Sequence, residues 1–72
     1  MNIYQIKKYL SKRIGKHATI KYNLGRNKYE IYKVVLNKMY NNVFTVILDN
    51  NELKCFSYND VVMRLVRIDF DK

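Results

Sequence analysis

The apolar residues change their spacing once, at Gly15, and that change limits the chain to a helix followed by strands. Before it, Ile3, Ile6, Leu10 and Ile14 recur at steps of three and four, the stripe a helix lays against a core. Asn2 and Gln5 stand three apart at the start, a capping-box pair whose side chains satisfy orphan amides of the first turn. Gly15 supplies a left-handed residue to stop the helix. The spacing therefore predicts a helix over about 2–14. Lys8 and Lys12 fall opposite the stripe, Lys7 and Arg13 on its flanks, and Tyr4 one turn before Lys8. The outward face is basic with one aromatic.

Beyond Gly15 the period is two. Ala18, Ile20 and Tyr22 alternate with Thr19 and Lys21, as in a strand with one buried side. Asn23 to Asn27 reads as a hairpin loop. The next strand, about Lys28 to Met39, puts Tyr29 and Ile31 on one phase and Val34 and Leu36 on the other, which predicts a bulge near Lys33 or a bend that changes the covered layer. Tyr40 to Asn42 turn the chain into Val43–Leu48, with Phe44, Val46 and Leu48 inward. Asp49 to Glu52 connect it to Leu53–Ser57. Tyr58, Asn59 and Asp60 suggest one helical turn, and Val62 to Phe70 closes the sheet.

One helix and five short strands are too few for a sandwich. The expected fold is mainly β: a small five-stranded SH3-like or Sm-like barrel, about 16–70, plugged by the N-terminal α-helix, because closure removes exposed edges. At 72 residues the chain is expected to form a single domain, 1–72. It has no apolar run of roughly 18 residues and no charged-then-apolar leader. With one cysteine, Cys55, and no proline, it reads as a cytoplasmic protein with a reduced thiol rather than a disulfide scaffold or a membrane protein.

Of 14 Lys and Arg, ten lie between Met1 and Lys38 beside one acid, Glu30, whereas the remaining stretch holds four cations and five acids. A one-sided excess of this kind points to a polyanionic partner, DNA or RNA; an AT-rich coding sequence that favours Lys is the competing explanation. Lys8, Lys12, Arg13, Lys16, Lys21, Arg26 and Lys28 are the candidate nucleic-acid contacts. Arg26 could hold a phosphate in a two-pronged grip and the lysines act as point charges. Tyr4, Tyr22 and Tyr29 could stack on unpaired bases, although tyrosines in so small a chain also pack cores and rims. Val66, Ile68 and Phe70 on the last strand either finish the core or form a protein interface, through which homodimerisation would double the basic surface.

No enzyme is expected. His17 and Cys55 are the only soft ligands, short of the four a structural zinc site takes, and Asp49, Glu52 and Asp60 lie in turns, where carboxylates accept backbone hydrogen bonds. Gly25 alone makes no phosphate-cradling loop. Neither a metal nor a cofactor is implied.

Gly15-Lys16, Ile20-Lys21, Gly25-Arg26-Asn27-Lys28, Leu36, Tyr40, Val43-Phe44, Ile47-Leu48-Asp49 and Ser57-Tyr58-Asn59-Asp60-Val61 together resemble the Veg protein family of low-GC Gram-positive bacteria. Asn27 stands where that family usually has a second Arg, and Val34 where it has Gly. The resemblance implies a small SH3-like or Sm-like barrel, a cytoplasmic location, no catalytic residues, and a regulatory role tied to vegetative growth and biofilm formation. Taken with the one-sided charge, it leads to the expectation of a regulator that binds nucleic acid in the control of transcription or biofilm formation; the apolar last strand supplies the alternative, a protein-interaction module that sequesters a transcription regulator. A looser likeness in layout, without the signature glycines, is to bacterial Sm-like RNA chaperones.

Overall fold

The computed structural model describes residues 2–71; Met1 and Lys72, the ends of the expected domain, lie outside the described residues. Helix α1 runs Ile3–Ser11. Strands β1 (His17–Gly25), β2 (Lys28–Met39), β3 (Val43–Leu48) and β4 (Leu53–Ser57) follow, then the short helix α2 (Tyr58–Val62) and β5 (Val66–Phe70). The structure is mainly β, one antiparallel sheet in the order β4-β3-β2-β1-β5.

The capping box at the start of α1 forms as its residues require: Asn2 Oδ1 accepts from the Gln5 amide at 2.8 Å, and Gln5 Oε1 accepts from the Asn2 amide at 3.2 Å. The helix ends earlier than its stripe suggests. Lys12 is the C-cap, and Ile14 is half exposed on an irregular turn. Gly15 does adopt the left-handed region, φ +84°, but as the link into β1, where its amide donates to the Leu36 carbonyl.

The β1–β2 loop is also tighter than the sequence suggests. β1 continues to Gly25, and only Arg26 and Asn27, at φ +46° and +64°, make the turn, the two left-handed residues of a type I′ hairpin. A register shift between Asn23 and Gly25 accommodates it. In β2 the expected change of phase at Lys33 does not occur. Tyr32, Val34 and Leu36 face the core, and Tyr29 and Ile31 simply stand exposed on the other face. The irregularity lies further on, between Leu36 and Lys38. There the buried Thr45 hydroxyl accepts from the Lys38 amide and the Asn37 side chain and donates to the Lys38 carbonyl, so one hydroxyl partners the Asn37 side chain and the Lys38 backbone where the bulge interrupts the ladder.

Ile6 and Leu10 of α1 pack with Ala18, Ile20, Leu36, Phe44, Val46 and Val66 in one core. The sheet curls around it. Three strand spacings separate β1 from β4, ~14 Å in a flat sheet, yet the Tyr22 and Phe56 rings lie 6.1 Å apart, edge to face. No ladder joins β4 to β5 among the described residues; α2 packs against both and spans the gap. Its Tyr58 is buried and donates to the Tyr40 carbonyl at 2.8 Å, and burial holds its hydroxyl above the ordinary pKa of a phenol.

Candidate nucleic-acid interface

The seven cations singled out from the sequence divide between two sides of the molecule. Lys8 and Lys12 are exposed on α1. Ile20 points into the core with Ile6 and Leu10, so its neighbour Lys21 points to the opposite face of the sheet, away from α1. Lys16 sits at the entry to β1, where its carbonyl accepts from the Leu36 amide, and Arg26 occupies the turn at the far end of that strand, roughly 30 Å away. Arg13 is engaged internally: Nη1 donates to the Tyr9 carbonyl at 2.7 Å, and the guanidinium lies 3.8 Å from the Tyr9 ring centroid and 5.7 Å from that of Phe70.

The three tyrosines also separate. Tyr4 is exposed on the helix, and Tyr22 is half buried against Phe56. Tyr29 is half exposed on the outer face of the hairpin, with Lys21 Nζ 4.1 Å from its ring centroid. Of the last-strand residues, Val66 is fully buried, and Ile68 and Phe70 are half buried against the core, Phe70 edge-on to Tyr9.

The sequence reading passed over Arg64 and Arg67. Ladder pairing places Arg67 of β5 directly across from Lys21 of β1. Arg64, in the turn after α2, completes a hollow of about 110 Å³ lined by Lys21, Asn23, Tyr29, Arg64, Leu65 and Arg67. Three cations meet there, and no carboxylate lines it. Asp69, next on the face of Arg67, borders an adjoining groove that Arg64 and Arg67 also line. The floor is fixed by the Asn23 amide, which donates to the Leu65 carbonyl at 2.8 Å. Arg26 and Lys28 stand exposed at the hairpin tip, within about 10 Å of chain from Tyr29. A signal for Arg67 was present in the sequence: with Val66, Ile68 and Phe70 inward, period two puts Arg67 outward.

Such a surface can bind anions and orient a planar base. Among the described residues no three His, Cys, Asp or Glu side chains gather as a metal site, and no helix is long and apolar enough to cross a membrane.

A comparison with protein families matches residues 1–69 to the family described as "Biofilm formation stimulator VEG". The chain belongs to the Veg family. The match takes in α1 and every strand up to Asp69, so the resemblance carried by Gly25-Arg26 and Ser57-Tyr58-Asn59-Asp60 extends across nearly the whole chain. The description of the Veg family names a role in biofilm formation and no reaction. No curated protein matches the chain.

Proposed function

We propose that this member of the Veg family is a cytoplasmic, non-enzymatic regulator that binds nucleic acid on the outer face of the β1–β2 hairpin and β5, as a step in the control of transcription during biofilm formation. The observation that carries the reading is the meeting of Lys21, Arg64 and Arg67 around a hollow without a carboxylate, continued by exposed Arg26 and Lys28. Each cation that neutralises a phosphate releases condensed counterions, so four contacts give a log–log salt slope of about −3 on a single strand. Tyr29 offers a ring for a base beside them. Lys8 and Lys12 form a separate basic face.

Fluorescence anisotropy of labelled single-stranded and duplex oligonucleotides tests the proposal. Binding at ~50 mM salt that weakens steeply with added salt, and that is lost in Lys21→Glu with Arg67→Glu but kept in Lys8→Glu with Lys12→Glu, supports this face. Absence of binding at that salt, or a slope near zero, refutes the reading.

A second reading, capture of a transcription regulator, is favoured by one observation. Val35, Ile47 and Leu53 are successive cross-strand partners on the outer side of β2, β3 and β4; Leu53 stands exposed in that row, and Ile31, also exposed, lies on the same face of β2 four residues before Val35. Retention of the regulator at high salt, lost in Ile31→Asp, would favour it.

A further inference from the structure

Two features of the Lys21 hollow cost stability in the isolated protein. The first is the register: Lys21 and Arg67 are Cα partners across β1 and β5, and like charges directly opposite on one face of a ladder repel. The second is the backbone of Arg64. The Leu65 amide donates to the Asp60 carbonyl and the Arg64 amide to the Val61 carbonyl, the paired bonds of a Schellman motif with Arg64 at the left-handed position, where glycine is usual. Arg64 sits there at φ +63°. Among the described residues four non-glycines have positive φ; Asn27 and Asn51 are of the type that tolerates it, whereas Arg26 and Arg64 are not.

A β-carbon at the cap and a repelling pair beside it persist together only where something else compensates. What they share is one small hollow, and its third cation is the guanidinium of the strained residue itself. The volume, about 110 Å³, suits one tetrahedral oxyanion and not a nucleoside. Tyr29 draws Lys21 over its ring from one side, and the Asn23–Leu65 backbone hydrogen bond fixes the floor, so Lys21 and the backbone that carries the site are in place before any ligand arrives.

We infer that this hollow is a phosphate-binding pocket, with Lys21, Arg64 and Arg67 as its ligands and Arg64 held in a left-handed cap so that its guanidinium closes the site. The phosphate belongs either to a bound strand or to a free ion. The first source rests on the function proposed above, and the second does not.

The full chain, ¹⁵N-labelled, is titrated with inorganic phosphate against chloride at matched ionic strength, and a fluorescent single-stranded oligonucleotide is titrated in parallel. The expected result is saturable phosphate shifts confined to Lys21, Asn23, Leu65 and Arg67 amides and the Arg64 side chain. In Arg64→Gly, a variant that frees the backbone and so keeps the fold, phosphate affinity falls at least fivefold; Arg67→Gln gives a second, independent loss. Phosphate shifts at the pocket without oligonucleotide binding leave the pocket standing and overturn the nucleic-acid reading. Oligonucleotide binding that Arg64→Gly leaves intact, together with shifts no larger than those of chloride or spread over every lysine, overturns the pocket and leaves that reading in place.

Discussion

Replacing Arg64 by glycine should make the protein more stable, although it removes a long side chain. A left-handed conformation costs an L-residue about 1–2 kcal/mol, and Arg64 bears that cost at φ +63°. Glycine avoids it but gives the unfolded chain more freedom, which offsets about 0.4–1 kcal/mol. Arg64 is exposed, so little packing is lost with its side chain. The net gain is about 0.5–1 kcal/mol, and for a domain of this length each kcal/mol moves the melting temperature by about 4–8 °C, so a rise of about 2–8 °C is expected. Thermal and urea unfolding of the whole chain in a phosphate-free buffer measure it. Arg64→Ala separates the causes, since it removes the charge but keeps the β-carbon; it should stay within about 0.5 kcal/mol of the parent. A melting point for Arg64→Gly at or below the parent's, or an equal rise in Arg64→Ala, would show that the cap is not strained.

Two further outcomes follow from the core. Thr45→Val leaves the Lys38 amide and Asn37 side chain at the β2 bulge without their acceptor and should lower stability in urea by about 1–3 kcal/mol; a neutral effect would mean water replaces the hydroxyl freely. Tyr58 has a pKa raised by burial, so the folded state holds its proton more tightly than the unfolded chain. Stability from this group is complete below about pH 10, the ordinary phenol value, and is lost as pH rises through the higher folded value. The advantage of the parent over Tyr58→Phe, about 0.5–1.5 kcal/mol at pH 8, should therefore shrink above pH 10, and a constant difference would contradict the burial argument.

Local rules made much of the architecture readable in the sequence. The Asn2–Gln5 cap, the helix that follows and the strand alternation at Ala18, Ile20 and Tyr22 each follow from short-range chemistry. What misled was the assumption that apolar means buried. Ile14 and Ile31 are exposed, and treating them as core residues lengthened the helix and invented a phase change at Lys33. The bulge at Asn37 had no local signature, because it depends on a hydroxyl from β3. The site suffered similarly. Counting charge along the chain favoured its first 38 residues, but the pairing of β1 with β5 draws Arg67 to Lys21, and only the turn after α2 brings in Arg64.

Three of the four ladders link strands that follow one another in the chain, whereas β5 must return across some 40 residues to reach β1. Closing so long a loop is the slow, entropically costly part of forming this topology. The β1–β4 meander can zip up from its turns alone, but Arg64 and Arg67 join Lys21 only once the C-terminal strand has docked. A nascent or C-terminally clipped chain would thus carry the hairpin without the anion hollow, and ligand present during refolding would act as a latch on the final strand.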